Sequence, residues 1–415
     1  MKVLWFSVTQ SLYGQNTTSH NGGGWISSLE HIVRNISDVQ LAVAFIDHSS
    51  EGKFKVITDN VIYYPMTIVR SRKERLIDKF NIDSIDKDIL NSCKKVVEDY
   101  NPDVIHVFGS EWCFGLISEY TKIPVVIHLQ GSWPPYRNAQ YPPGYSRKEE
   151  IINRWYNPKA ILQFILDERR SFQRARREEK ILSITSYFMG RTRWDKALTK
   201  FYSPKSEYFY CSEALRSDIM ASNIKWNLQK RSESILVTVG GGHVLKGLDV
   251  ILKTAQLLKM RGDIDFEWRL LGPTPANMRK FEKKTSILCR DVCVKPLGRK
   301  SAKEVQQNLI DASLYVHTAY IDNSPNSICE AQYLGLPVIS TYVGGIPSLF
   351  KDDYPQDCLV PTNDPYYLAS KIVEILKNEE LSLSMSKSNL EIATYRHSEE
   401  RILNDLLRCY KKISK

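Results

Sequence analysis

The stretch YIDNSPNSICEAQYLGLPVISTYVGG, Tyr320 to Gly345, decides the fold. It follows the apolar run LYVHT, reads as a polar loop (Asp322 to Asn326), then a helix over about 327–335, then a buried strand PVIST and a Gly344–Gly345 turn. Strand, loop, helix, strand in so few residues specifies a parallel sheet covered by helices. Asp322 and Glu330 are eight residues apart across the loop-to-helix junction, so one carboxylate reaches out from the loop while the other projects from the helix start. Both can accept hydrogen bonds from vicinal hydroxyls, and the unpaired amides at such a junction can receive a phosphate. The ordinary alternative for Glu330 is an acidic residue complementing the helix dipole. A plain connection, however, rarely needs D-N-S-P-N-S.

Outward from this stretch, strands are expected at 234–239, 266–271, 313–317 and 337–341, and in the first half at 2–8, 40–46, 104–108 and 125–129. Helical patterns alternate with them at about 25–35, 88–100, 248–260, 301–311, 327–335 and 365–377. Two such series predict two doubly wound Rossmann-like α/β domains. Facing domains of this kind place a ligand cleft at the carboxyl ends of their strands. The boundaries read as 1–212, with a basic helical insert at about 147–180, then 213–398, then a terminal helix over 399–415 that crosses back onto the first domain. Each series opens on glycines. Strand ILVTV leads to Gly240, Gly241 and Gly242, then HVLKG and a helix, so Lys246 is placed to neutralise a diphosphate. The first strand leads into NGGGW, where Gly22, Gly23 and Gly24 precede a helix and allow close backbone approach to an anion. Neither is a P-loop or a G-x-G-x-x-G dinucleotide fingerprint.

The 415 residues carry 57 Lys and Arg against 47 Asp and Glu, a net +10. Between Arg147 and Lys205 there are 15 basic and 7 acidic residues, so this segment holds most of the excess. Ile161, Ile165, Phe172 and Ala175 repeat there at helical spacing, with Arg169, Arg170, Arg174, Arg176 and Arg177 largely on other faces. Such a surface is either a solvated basic face or one that attracts anionic phospholipid headgroups or a phosphate-bearing acceptor. Nothing resembles a nucleic-acid module. No apolar run approaches the roughly 20 residues of a membrane span, and the N-terminus MKVLWFSVTQS lacks the apolar core of a signal peptide. The eight cysteines are scattered, with Cys289 and Cys293 the one close pair and no C-x-x-C. The chain reads as intracellular and reduced, with no structural metal.

The second half resembles the retaining, nucleotide-sugar-dependent GT-B-fold glycosyltransferases of family 4. That family carries G-R-x-x-x-x-K-G and E-x7-E followed by A-x-x-x-G-x-P-V-I-x-T-x-x-G-G. Here these fall on Gly240 to Gly247 and Asp322 to Gly345, and the likeness extends over about 170 residues. The first half matches more loosely, through the glycine loop at Asn21, VIHVFGSE at Val104 and VVIHLQGS at Val125. GRTRWD at Gly190 and CSEALR at Cys211 are similar to a subgroup from bacterial surface-polysaccharide loci. The resemblance implies a GT-B architecture in which Lys246 binds the donor diphosphate, Glu330 the ribose and Asp322 the transferred sugar. It implies further that Ser324, Asn326 and Ser327 line the sugar and phosphate pocket, and that Gly22 to Gly24 close over the phosphates. Three departures stand out. The family's phosphate-binding Arg falls on Gly241, with His243, Arg299 or Arg191 as substitutes. The first acid is Asp322 instead of Glu. The family's His aligns on Gln130, with His128 two residues earlier.

The expected activity is metal-independent transfer of a sugar from a UDP- or GDP-sugar to a polysaccharide or lipid-linked saccharide. It needs no cofactor and would run in the cytoplasm with peripheral contact at the inner membrane face. Glu111, Gln130, His128 and Arg191 are the acceptor-side candidates, Glu111 being equally readable as a helix-start charge. A nucleotide-sugar isomerase and a non-catalytic nucleotide-sugar-binding homologue are the alternatives.

Overall fold

The computed structural model describes residues 1–14, 24–48, 52–221, 223–229 and 231–415. The chain forms two compact units, Met1–Ala214 together with Glu399–Lys415, and Leu215–Ser398. In the first, eight strands run β1 (Lys2–Ser7), β2 (Gln40–Asp47), β3 (Val56–Thr58), β4 (Val61–Thr67), β5 (Val104–Phe108), β6 (Val125–His128), β7 (Tyr187–Gly190) and β8 (Glu207–Tyr210). Their order in the sheet is β3-β4-β2-β1-β5-β6-β7-β8, parallel except for the β3–β4 pair. In the second, β9 (Ser234–Val239), β10 (Phe266–Leu271), β11 (Val294–Gly298), β12 (Leu314–His317), β13 (Val338–Thr341) and β14 (Leu359–Val360) order as β11-β10-β9-β12-β13-β14, all parallel. The fold is therefore the doubly wound α/β arrangement expected.

Burial on both faces explains why these strands read as unbroken apolar runs. In β1, Val3 and Trp5 join one core while Leu4 and Phe6 join the other. Side chains alternate across a strand, so a sheet covered twice must be apolar at every position. The helix Glu399–Ile413 covers one of these faces with Ile402, Leu406, Cys409, Tyr410 and Ile413. There Tyr410 Oη accepts from Trp5 Nε1–H at 3.0 Å and lies 2.6 Å from His106 Nδ1.

The basic segment differs from its sequence reading in one respect. It folds as a helix over Pro158–Ile184, capped by Asn157, and its buried residues are Leu166, Ala175, Glu178, Ile181 and Leu182. Ile165 and Phe172 are exposed, and they share an outward stripe with Arg169 and Arg176 instead of facing the core. Inward anchoring combines Leu166, Ala175, Ile181 and Leu182 with polar contacts that apolar periodicity does not register: Arg177 grips Asp86 at 2.7 and 2.8 Å, and Glu178 accepts from Ser110 and the Trp133 amide.

Candidate functional site

In the second sheet the connections leave β9 in one direction and β12 in the other, so the crevice opens between the carboxyl ends of those two strands. The loops after β9 and β12 are stitched together there. Thr318 Oγ1 lies 3.0 Å from the Lys246 carbonyl and 3.1 Å from that of Gly247, and the Tyr320 amide donates to the Leu245 carbonyl at 2.8 Å. Gly247, at φ +68°, is required: a Cβ would fall 2.0 Å from the Thr318 carbonyl oxygen. The contact turns Lys246 toward the second loop, where its Nζ meets Asp322 Oδ2 at 2.5 Å.

Asp322 is fixed on every side. Its Oδ1 accepts from the Asn323 amide at 3.1 Å, His317 Nε2 lies 3.2 Å from Oδ2, and its carbonyl accepts from the Gly345 amide at 3.1 Å. Gly344, at φ +52°, lets the third loop close, since a Cβ would stand 2.0 Å from the Asp322 carbonyl oxygen. Burial opposes the Asp322 charge, but Lys246 and His317 outweigh it and hold the carboxyl well below its usual range. Burial pushes His317 the other way, below the ordinary imidazole value, so it stands neutral beside the acid.

Glu330 lies inside the helix Asn326–Leu334, buried, and its carboxylate is held bidentate by Arg216, Nε to Oε1 at 2.7 Å and Nη2 to Oε2 at 2.6 Å. This is an ion pair; the plain dipole reading of Glu330 does not describe it. Arg216 went unassigned in the sequence, although it closes the quoted CSEALR segment. Because the pairing spans 114 residues, no local spacing could reveal it. Pro325 caps the same helix and brings no side-chain acceptor to its first amides. Asn323 and Ser324 are buried beside that end, whereas Ser327 turns back toward Tyr315.

At the glycine turn, a Cβ on Gly241 would meet nothing within 4 Å, so no steric demand explains the missing arginine. The three substitutes fall apart in the structure. His243 sits on the same loop, accepts the Leu245 amide on Nδ1 at 3.2 Å, and is kept below its usual pKa first by burial and then by Lys280 and Lys246. Its Nε2 therefore carries the proton and can donate. Arg299 follows β11 and is exposed. Arg191 belongs to the first unit, buried 3.3 Å from Glu213.

The first unit gathers a second polar group at its strand ends. Glu111, after β5, folds its carboxylate over two glycines: a Cβ at Gly109 would lie 2.5 Å from Oε2, and one at Gly131 2.7 Å from Oε1. Burial raises its pKa against the pull of the Gly131 and Ser110 amides, an enclosed acid unlike a solvated helix-start charge. Beside it is Glu178, which sequence reading passed over as one more charge on a basic helix. Ser110 Oγ donates to Glu178 at 2.7 Å and the Trp133 amide at 2.6 Å; burial, then Glu111, push its pKa up to about 7. Gln130 borders this group, its Cδ 3.9 Å from where a Gly109 Cβ would stand. His128 does not join it. The ring is buried in an aromatic stack, 5.4 Å from His106 and 5.2 Å from Trp25, and burial lowers its pKa to about 3. Its position as the last residue of β6, pointing into the sheet's core face, is the reason. Gly24 begins the first unit's helix Gly24–Val33; Gly22 and Gly23 lie outside the described residues.

Residues 233–378 match the family described as glycosyl transferases group 1. An uncharacterized glycosyltransferase of Methanocaldococcus jannaschii is 22% identical over 399 residues, covering 94% of this chain and 95% of its own. The putative colanic acid biosynthesis glycosyltransferase WcaL of Salmonella typhimurium is 32% identical over 135 residues, 31% of this chain and 32% of the relative. Among solved structures, sucrose-phosphate synthase from Thermosynechococcus elongatus superposes with a TM-score of 0.69 at 14% identity, covering 100% and 99% of the two chains. Anabaena HepE, solved in complex with UDP-glucose, gives 0.63 at 12% identity, again covering 100% and 99%. These last two establish the fold, which is GT-B. Residues 233–378 thus form a glycosyl transferases group 1 domain, and the chain is a glycosyltransferase.

Proposed function

We propose that the chain is a retaining glycosyltransferase that moves a sugar from a nucleotide-diphosphate sugar, UDP- or GDP-linked, to a polysaccharide or lipid-linked saccharide in cell-surface glycan biosynthesis. The observation that carries this reading is the pair of stitched loops that bring Lys246 onto Asp322 beside a helix start, with Glu330 clamped by Arg216. A carboxylate offers about four lone-pair sites. Arg216 occupies two on Glu330 and leaves the outer pair for the vicinal hydroxyls of a ribose. Asp322 has the same capacity for hydroxyls of the transferred sugar, and engaging them frees the Lys246 ammonium for the diphosphate. His243 Nε2–H and the amides of Asn326 and Ser327 supply further donors to the phosphates.

Transfer breaks the bond from the anomeric carbon to the β-phosphate oxygen, with positive charge growing on the sugar and negative charge on the leaving group. Electrostatic stabilisation of that leaving group is the protein's main contribution. The acceptor hydroxyl adds to the anomeric carbon on the face the phosphate leaves, and its proton passes to the departing phosphate oxygen. No D-x-D stands in the Gly240–Gly247 and Asp322–Gly345 motifs, in keeping with metal-independent transfer. Glu111 and Gln130, in the first unit, are the acceptor-side groups. The names of colanic acid and amylovoran glycosyltransferases among the relatives support a polysaccharide role.

Calorimetry and thermal shift against UDP, GDP, ADP and CMP with their sugar conjugates test the reading. One nucleoside diphosphate should bind, and Lys246→Ala and Glu330→Ala should each abolish binding in folded protein. Binding to none of them would sink it.

A further inference from the structure

We propose that one face of the first unit docks on an anionic phospholipid bilayer, and that two elements distant in sequence build it. The inference deepens the reading of a lipid-linked acceptor and rests on that reading for its purpose. The first element is the outward stripe of the helix Pro158–Ile184. Leu162, Ile165, Arg169, Phe172 and Arg176 recur at spacings of three and four, all exposed, over about 21 Å of helix. Trp155 and Tyr156, just before the helix, are 75% and 74% exposed, and Ile152 continues the patch. The second element is the short helix Arg72–Asp78 and its exit, which expose Leu76, Ile77 and Phe80 among Arg72, Lys73, Arg75 and Lys79. The fold brings the two together: Gln173 Nε2, on the edge of the stripe, donates to the Phe80 carbonyl at 3.1 Å.

Chemistry selects the occupant. Residues 147–177 hold nine Lys and Arg against four Asp and Glu, and Lys148, Lys159, Arg169 and Arg176 pair with no carboxylate among the described residues. A soluble anion would need those cations and nothing else, and the core of a protein interface is depleted of lysine, whereas Lys148 and Lys159 belong to this segment. Cations level with exposed Trp, Tyr, Phe and Leu suit the boundary between phosphate headgroups and acyl chains. The Phe172 ring shows the arrangement in miniature, with the Arg137 guanidinium at 4.7 Å and that of Arg176 at 4.9 Å. Aromatic surface and positive charge thus stand at one depth.

The test is sedimentation of the full chain with phosphatidylcholine vesicles, with and without roughly one third phosphatidylglycerol. The protein should sediment with the anionic vesicles, less so in high salt, and hardly at all with the neutral ones. Arg169→Glu with Arg176→Glu should weaken partitioning roughly tenfold or more. Trp155→Ala with Leu162→Ala, which leaves every charge in place, should weaken it by about tenfold through lost insertion. All four positions are exposed, so thermal midpoints should not move, and nucleotide binding measured without vesicles should be unchanged. Absence of sedimentation with anionic vesicles overturns the proposal, as does sedimentation to which both double variants are indifferent. Concentration-dependent self-association abolished by Leu162→Ala with Phe172→Ala, without vesicle binding, would assign the face to a second copy instead. Failure of nucleotide binding, by contrast, removes the donor reading and leaves the vesicle result standing.

Discussion

The acids at the strand ends of the two units are alike enclosed and differ in the cations that reach them. In the second unit, Lys246 faces Asp322 and Arg216 faces Glu330, one cation to each acid. In the first, Arg177 is committed to Asp86 and to the Glu111 carbonyl, so Glu111 and Glu178 are left to each other and to neutral donors. The outcome follows from desolvation. A buried carboxylate with a cation in contact stays ionised, and one without is driven toward its neutral form. The supporting glycines differ in the same sense. Those of the second unit clear backbone carbonyls, whereas Gly131 clears the end of the Glu111 side chain. Burial alone therefore says little about what a site can do; the count of cations within reach decides it. An ionised pair suits the binding of hydroxyls and phosphate. A carboxyl that titrates near neutrality suits proton exchange.

The largest effect expected from this comparison is a contrast of two alanines. Gly344→Ala forces a β-carbon onto the Asp322 carbonyl in a left-handed conformation, and should destabilise by about 3 kcal/mol or more in urea titration. Gly131→Ala meets Glu111 Oε1 at 2.7 Å and Tyr136 Cε2 at 3.0 Å, both side-chain atoms that can shift. It should cost about 1–2 kcal/mol. Equal losses would mean that the two sites are braced alike. The second test uses pH. Glu178 titrates near 7 folded and near its ordinary 4.5 unfolded, so the folded state binds the extra proton between those values. Stability must fall as pH rises through that window, by up to about 3 kcal/mol. Glu178→Gln, which can still accept from the Trp133 amide and donate to Ser110, should flatten the slope and gain at pH 8. Asp322 has the opposite sign: its contribution is present above its unfolded value of 3.8 and is lost only below it. A slope that survives in Glu178→Gln would show that the proton resides elsewhere. Third, Arg216→Ala strands the Glu330 carboxylate. With the arginine about one third exposed, the loss should be about 2 kcal/mol, and Arg216→Met with Glu330→Met should recover most of it. A double variant no more stable than Arg216→Ala would speak against the pair as the cause.

The architecture was legible because its strands are short, apolar and buried on both faces. All eight expected strands occur, and β5, β9 and β10 match to the residue. Missed were β4 and β11, whose YYPMT and VKPLG each carry a proline, and β3, β7, β8 and β14, two to four residues each at or next to the edges of their sheets. Too few residues stood there to show a period. Asp322 and Glu330 stood out in one long motif and Lys246 in the separate glycine segment after β9, and the structure brings Lys246 and Asp322 together. Arg216, His317 and Glu178 were not, since each matters through a partner that folding supplies. The Ile165–Phe172 series misled for a related reason. Helical spacing establishes that residues share a face without saying which way that face points.

The smallest effect sought is a gain, Gly241→Arg. A β-carbon there meets nothing within 4 Å, and the position carries no positive φ, so the substitution should leave stability within about 0.5 kcal/mol. If the diphosphate lies against this turn, a guanidinium adds a charge-assisted contact that His243, kept neutral by burial and by Lys280 and Lys246, supplies only as a dipole. Binding of the cognate nucleoside diphosphate should tighten by about tenfold or somewhat more, with no change for the free nucleoside. In the His243→Ala background the gain should be larger, because the new cation then meets a phosphate oxygen without a competing donor. Equal tightening for nucleoside and diphosphate would place the phosphates away from the turn, and unchanged affinity for both would remove Gly241 from the account of the site. The comparison is sharpened in either event. The second unit sets one cation against each acid, and this variant asks whether a cation beyond that pairing is what a diphosphate at the turn would need.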